Sequence, residues 1–441
     1  MLSRARLLSE HFHCITLLLL LLRSYNSSAA ASTQPIPPMT TTTRATNSNK
    51  TDTAAVTAPL SSTFKHVVFS DIDGTLAHYP GHLQEGSGIK DSDNDGDINE
   101  LICFPPSKTG TRGVLSTRTL QLCHQLRHGK VCEIDSALTT NSTKQQRICN
   151  GGVALVLISG MRTSTLFQRL PYLPQADAYV SESGGRIFYP HEIPKNEETD
   201  IEGLVQGLIV HPVPYPGISN NYPFCLIEDT NWRDNISQLH AAGNDGYDNS
   251  FPVEKRRGKL WELARTHTKH GYVLDISGYA TAYRINRKHQ PTHLALTFND
   301  FIEEAVNKQG LSNGLSCSTN LGCVDIYPDI SGKKNCAKYL IHRFLGHGEQ
   351  GRKSIQKAPI SLKTHAYFLC DDNNDIELAL ACRAAYFPSV ASESIHNLVT
   401  SMQRQKDGDT GKLVITEDKE NGIVGPLATE AALEAIMRKL W

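Results

Sequence analysis

HVVFSDIDGT, residues 66–75, joins a short apolar strand, Val67–Ser70, to a polar turn. Two further apolar runs end in the same way. VALVLI (153–158) runs into SGMR, and HAYFLC (365–370) runs into DDNND. An uninterrupted apolar run of this length is the pattern of a strand buried on both faces of a parallel sheet. In an open α/β sheet, ligands bind beyond the carboxyl ends of the strands. The clusters Asp71/Asp73, Ser159/Arg162 and Asp371/Asp375 are therefore expected at one sheet edge, although they lie far apart in sequence.

Helical spacing fills the intervals. Leu115–Arg127 carries Leu115, Leu120, Leu122 and Leu126, with Gly129 as a stop. Thr163–Leu170 and Lys334–Leu345 also read as helices, as does Ile376–Ala384. Glu430–Leu440 is amphipathic through Leu433, Ile436, Met437 and Leu440. Ala178–Ser181 is a further strand. Between these core signals lies a second α/β alternation. It has helices at Gly258–His270 and Phe298–Gln309, and strands at Ala280–Asn286 and Cys323–Tyr327. The expected fold class is α/β, a Rossmann-like parallel three-layer sheet core with an inserted α/β cap domain. The boundaries read as 64–185 for the first part of the core, with insertions 78–112 and 131–152. The cap then spans 186–327, and the second part of the core 328–441.

The 441 residues are 39% hydrophobic and 20% charged, enough apolar material for a sizeable core. The formal net charge of −1 argues against a strongly basic nucleic-acid binder and against an acidic solvating chain. The longest apolar run, Cys14–Leu22, falls short of the ~20 residues of a membrane-spanning helix. Arg4 and Arg6 before it and SSAAAS (27–32) after it give residues 1–31 the order of a secretory signal peptide, with an organelle transit peptide as runner-up. The expected destination is the secretory pathway or an organelle, the alternative being the cytoplasm. Residues 32–63, rich in Thr, Ser and Pro, read as a disordered linker. Of the eleven cysteines, Cys103, Cys123, Cys132 and Cys149 cluster, and Cys317 lies near Cys323. That is the pattern of a disulfide set in an oxidising compartment, whereas Cys336, Cys370 and Cys382 read as buried thiols. DSDNDGDIN (91–99) has the oxygens and Gly of a calcium loop's first half. Ile102 stands where the bidentate Glu belongs, so a solvated acidic loop is the expectation.

Asp71 and Asp73, two apart after a strand, can point into one crevice while Ile72 turns to the core. One carboxylate can attack phosphorus and the other can protonate a leaving oxygen and activate water. Thr75 supplies a hydroxyl, and Asp371 and Asp375 add oxygen ligands. Such hard carboxylates suit Mg²⁺. Ser159 can donate to a phosphoryl oxygen, and Lys333 can neutralise the charge shared by nucleophile and phosphate.

SDIDGT (70–75), ISG (158–160), the Lys333 region and CDDNND (370–375) resemble, in order, the four motifs of the haloacid dehalogenase superfamily. The resemblance implies Asp71 as nucleophile, Asp73 as general acid/base, and Thr75, Ser159, Gly160 and Lys333 around the phosphate. It implies Mg²⁺ on Asp71, the Asp73 backbone carbonyl, Asp371 and Asp375. SGMR with SESGGRIF (181–188), and DIYPDISGKKNCAKYL (325–340), are similar to the Cof-like and sucrose-phosphatase-like branch with its larger α/β cap. Members of that branch mostly act on phosphorylated sugars and related small metabolites. The implied activity is hydrolysis of a phosphomonoester through an aspartyl-phosphate. A phosphomutase and a non-catalytic sugar-phosphate-binding protein are the alternatives. The chain departs from the pattern with Cys370 in place of the usual Gly and Asp372 in place of a small residue. The interval from Asp71 to Ser159 is also long, its excess lying in His78–Arg112 and Val131–Gly152. Trp232–Arg233 and Tyr283–Arg287 read as cap core with exposed charge, or as contacts for a sugar phosphate. Arg162 reads as a phosphate contact or a cap of the following helix.

Overall fold

A computed structural model describes residues 64–79, 101–106, 112–133, 146–149, 152–192, 204–209, 224–240, 252–294, 314–320, 323–346, 359–390, 392–404 and 412–441. The expected N-terminal targeting segment and linker, the acidic run 91–99 and the expected helix Phe298–Gln309 lie outside these residues.

In chain order the strands begin with β1 (His66–Ser70), β2 (Leu101–Cys103), β3 (Val114–Ser116), β4 (Lys130–Glu133), β5 (Gln146–Cys149), β6 (Val153–Ile158) and β7 (Ala178–Ser181). They continue as β8 (Arg186–Glu192), β9 (Leu204–Ile209), β10 (Phe224–Glu228), β11 (Leu274–Asp275), β12 (Tyr283–Asn286), β13 (Leu315–Asn320) and β14 (Cys323–Pro328). The last are β15 (Ala366–Leu369), β16 (Ala384–Phe387) and β17 (Leu413–Ile415). The main helices are α1 (Thr117–His128), α2 (Thr163–Arg169), α3 (Thr230–His240), α4 (Lys259–Lys269), α5 (Gly332–Leu345), α6 (Ile376–Ala381), α7 (Glu393–Arg404) and α8 (Pro426–Leu440).

One nine-stranded sheet runs β17-β16-β15-β1-β6-β7-β8-β10-β9. Its strands are parallel from β17 to β7, and β8, β10 and β9 continue it antiparallel. β1 is central, with Val68 opposite Tyr367 on one side and Leu155 on the other. Alternation sends successive side chains to opposite faces. Val68, Leu155, Leu157, Tyr367 and Leu369 pack with Leu120 and Leu126 of α1 and Leu433 and Ile436 of α8. Val67, Phe69, Val156 and Phe368 pack on the other face with Leu340 and Phe344 of α5 and Ile395 of α7. The result is the expected three-layer α/β core. Helix α1 begins at Ser116, whose hydroxyl accepts the Thr119 N–H at 3.0 Å, and ends at Gly129 with φ 80°.

A separate four-stranded antiparallel sheet, β11-β12-β14-β13, carries α4. Leu260, Trp261 and Ala264 pack against Tyr283, Ile285, Val324 and Ile326 to form its core. The expected cap region 186–327 therefore divides. β8, β9 and β10 extend the main sheet, and the second sheet begins only at β11. Trp232, on α3, belongs to the main core: its indole N–H donates to the Gly184 carbonyl at 2.9 Å and its ring lies 4.8 Å from that of Tyr339. The expected helix over Ile376–Ala384 ends at Ala381, and Ala384 instead opens the strand β16. Cys103, Cys123, Cys225, Cys317, Cys323, Cys336, Cys370 and Cys382 are unpaired, so Cys317–Cys323 is not a disulfide here. Cys336, Cys370 and Cys382 are buried as expected.

Candidate active site

The carboxyl ends of β1, β6 and β15 bring the polar clusters together. The ladder continues one residue past β1, where the Asp71 N–H donates to the Leu369 carbonyl at 2.9 Å. That bond fixes Asp71 beside Asp371. A single oxygen from each of Asp71, Asp371 and Asp375 can be chosen so that all lie within 4.8 Å of one another, and all three residues are buried. Gly74 has φ 78°, and a Cβ there would stand 1.9 Å from Asp371 Oδ2. Only glycine fits this turn against the acidic cluster.

Lys333 enters from the first turn of α5. Its Nζ lies 2.6 Å from Asp375 Oδ1 and 3.1 Å from Asp71 Oδ1, and the side chain is 3% exposed. Gly184, at φ 94°, places this turn: a Cβ there would lie 2.6 Å from the Gly332 carbonyl. The neighbouring Lys334 pairs at the surface with Glu377 at 3.3 Å, so the buried cation is Lys333.

Burial of carboxylates against one ammonium shifts the titrations of Asp71, Asp371 and Lys333. Desolvation pushes the Asp71 carboxyl up to about 7, opposed by Lys333 and reinforced by Asp375 and Asp73. Asp371 is raised well above the ordinary range by burial and then by Asp71 and Asp375. Burial would lower the Lys333 ammonium, but Asp375 and Asp71 outweigh it and raise it. Asp375 Oδ2 is buried without a hydrogen-bond partner. Three hard oxygens and one unsatisfied acceptor fit a small divalent cation such as Mg²⁺.

The other expected residues divide. Ser159 is buried and its hydroxyl accepts the Met161 N–H at 3.2 Å. Gly160 faces Ser183, Asp325 and Asn374: a Cβ there would lie 3.2, 3.6 and 3.8 Å from their side-chain atoms. Thr75 is fully buried and donates to Asp371 Oδ1 at 3.2 Å, which directs its hydroxyl to a carboxylate. The Asp73 carboxylate stands apart from the Asp71–Asp371–Asp375 group. Its Oδ1 is in contact with the Arg169 guanidinium and the Tyr79 hydroxyl. Neither partner was expected from sequence. Arg169 closes α2 far along the chain, and Tyr79 sits at the start of the first insertion.

The departures from the family pattern settle into ordinary roles. Cys370 lies in the core beneath the site, and Asp372 accepts the Asn373 N–H at 2.6 Å as an N-cap. Arg162 is the N-cap residue of α2, its carbonyl accepting the Thr165 and Leu166 N–H groups at 3.1 Å, but its side chain makes no cap bond and stands outside the acidic cluster. It reaches the second sheet, with Nη2 at 2.5 Å from Asp275 and Nη1 donating to the Ser277 carbonyl at 2.9 Å. Arg284 pairs with Asp325 at 2.5 and 2.8 Å. The sequence also gave no sign of the role of Glu182, which joins core to cap. Its Oε1 accepts from Thr163 at 2.6 Å. Its Oε2 accepts from Ala280 N, Thr281 N and Thr281 Oγ1 at 2.9, 2.6 and 2.8 Å.

Neither a family model nor a curated protein sequence matches the chain. Among solved structures it is similar to the sucrose-phosphatase of Synechocystis sp. PCC6803 in complex with sucrose and phosphate. The identity is 13%, with 85% of this chain and 98% of that one covered, at a TM-score of 0.41. A haloacid dehalogenase-like hydrolase of Bacillus subtilis is 12% identical over 85% and 93% of the two chains, with a TM-score of 0.38. The C-terminal domain of the C. albicans trehalose-6-phosphate phosphatase is 11% identical over 85% and 94%, with a TM-score of 0.35. At such identities the chemistry of this site rests on its own residues.

Proposed function

We propose that this protein is a Mg²⁺-dependent phosphatase of the haloacid dehalogenase type that hydrolyses a small phosphomonoester, in the first instance a sugar phosphate. The observation that carries the reading is the convergence of Asp71, Asp371, Asp375 and Lys333 at the carboxyl edge of the parallel sheet. Among the described residues no helix is long and apolar enough to cross a membrane.

Asp71, Asp371 and Asp375 would hold the cation, which would offset phosphate charge beside the nucleophile. Asp71 attacks phosphorus, and Lys333 beside it favours the ionised carboxylate against the desolvation of its burial. As the P–O bond to the leaving group breaks, Asp73 gives the leaving oxygen its proton. The ionised Asp73 then takes a proton from water, whose oxygen attacks phosphorus and releases Asp71. In this reading Ser159 and the Gly160 turn receive the phosphoryl oxygens. Ser183, Asp325 and Asn374, around Gly160, and Arg284, paired with Asp325, would in the same reading meet the remainder of the substrate.

The test is phosphate release by residues 64–441 from a panel of phosphorylated sugars, with and without Mg²⁺, beside an Asp71→Asn control. Release that needs both Mg²⁺ and Asp71 supports the reading. A folded protein silent across the panel overturns it.

A further inference from the structure

The first insertion leaves the core directly after the Asp71–Thr75 turn, and its foot is firmly built. His78 and Val114 exchange backbone hydrogen bonds at 2.8 Å in both directions, and the Phe104 N–H donates to the Gly113 carbonyl at 2.8 Å. β2 and β3 pair antiparallel above this foot, with Cys103 opposite Val114. Gly113 lies under two aromatic rings: a Cβ there would be 3.2 Å from Tyr79 and 3.5 Å from Phe104. Phe104 is buried, with the Arg169 guanidinium 5.8 Å from its ring centroid and the Tyr172 ring at 6.0 Å. The foot therefore holds two donors, the Tyr79 hydroxyl and the Arg169 guanidinium, and both converge on one oxygen, Asp73 Oδ1. The Arg169 side chain is 12% exposed, whereas that of Asp73 is 38% exposed.

We propose that Tyr79 and Arg169 are positioning residues that anchor Asp73 through Oδ1, so that proton exchange with the substrate takes place at Oδ2. The inference rests on the phosphatase reading and deepens it, and it gives the foot of the first insertion a task. An aspartate side chain turns about two bonds, and two donors on one oxygen remove that freedom before substrate arrives. In the first half-reaction the Oδ2 proton passes to the leaving oxygen as its bond to phosphorus breaks and the Asp71–phosphorus bond forms. In the second, Oδ2 takes a proton from the attacking water as the Asp71–phosphorus bond breaks.

The claim separates substrates by leaving group. A sugar alkoxide needs a proton in order to leave, and 4-nitrophenolate does not. kcat/KM covers the steps up to departure of the leaving group, so the later hydrolysis, common to both substrates, does not enter the comparison. Arg169→Gln is expected to lower kcat/KM for the best sugar phosphate about 100-fold, and that for 4-nitrophenyl phosphate less than about threefold. Tyr79→Phe should show the same selectivity at smaller size, and Arg169→Lys should recover part of the loss. Should Arg169→Gln fail to fold, as judged by circular dichroism, Tyr79→Phe and Arg169→Lys carry the test. Equal losses on both substrates, or no loss on the sugar phosphate, overturn the anchoring role and leave the phosphatase reading standing. A wild-type protein that releases phosphate from neither substrate overturns both.

Discussion

The Lys333 ammonium stands 3.1 Å from Asp71 and 2.6 Å from Asp375, buried between two carboxylates that the chain supplies from opposite ends of the core. Lys333→Met removes the cation and leaves the acidic group unpaired. Removing one partner of a buried pair costs about 3–5 kcal/mol. Urea unfolding of the metal-free variant should show a loss of that size, and phosphate release should fall by at least about 100-fold. A variant as stable and as active as wild type would remove Lys333 from the site.

Asp71 sets a pH dependence for the metal-free protein. Its folded carboxyl titrates at about 7, against an ordinary value of 3.8, because burial disfavours the charge. Below 3.8 both folded and unfolded chains hold the proton, and this group's contribution to stability is fully present. Between 3.8 and about 7 the unfolded chain has lost the proton while the folded chain keeps it, so stability falls as pH rises. In EDTA, Asp71→Asn should therefore be inactive yet more stable than wild type near pH 7, with a flatter dependence of Tm on pH. Parallel Tm curves for the two proteins would contradict this.

Mg²⁺ should stabilise the folded chain by meeting the oxygens of Asp71, Asp371 and Asp375. At about 100 times its Kd the gain is ~2.7 kcal/mol, read as a rise in Tm. Asp375→Asn should weaken that rise and the activity together, and Ca²⁺ or Mg²⁺ added to it should not restore the wild-type shift.

Glu182 predicts a different defect. Its carboxylate accepts bonds from Thr163 on the core side and from Ala280 and Thr281 on the cap side. Glu182→Ala leaves two buried backbone N–H groups without this acceptor, at a cost of about 1–3 kcal/mol each. Glu182→Gln keeps one acceptor oxygen and should fall between. Limited proteolysis should cut the alanine variant faster than wild type between residues 252 and 294, with the core fragments surviving. An unchanged rate would place the coupling elsewhere.

The central strands were legible because their composition admits one environment. VALVLI has no polar side to offer to solvent, and Val153–Ile158 is buried along its whole length. The acidic residues after β1 and β15 were legible because a strand end and a tight Gly74 turn are local features. The placement of β8, β9 and β10 was not. An antiparallel hairpin has the same pattern in either sheet, and only the pairing of Tyr179, Val180 and Ser181 with Phe188, Ile187 and Arg186 assigns it. The partners of Asp73 were hidden for a related reason. Arg169 reads as an ordinary C-terminal cation of α2, favourable at a helix end whatever it touches. For Thr75 the sequence does not separate two roles, since a hydroxyl this close to Asp71 is as well suited to holding Asp371, the bond seen in the structure, as to binding phosphate.

The position of β1 has a consequence for biogenesis. One of the two neighbours of this strand, β15, begins at Ala366, almost 300 residues further along the chain and so later from the ribosome. Until then one edge of β1 has no native strand beside it, an apolar edge of the kind that recruits foreign chains. The acidic pocket shares that delay, since Asp371 and Asp375 arrive last. A truncated or stalled chain would thus carry Asp71 without Asp371 and Asp375, its acidic pocket still incomplete.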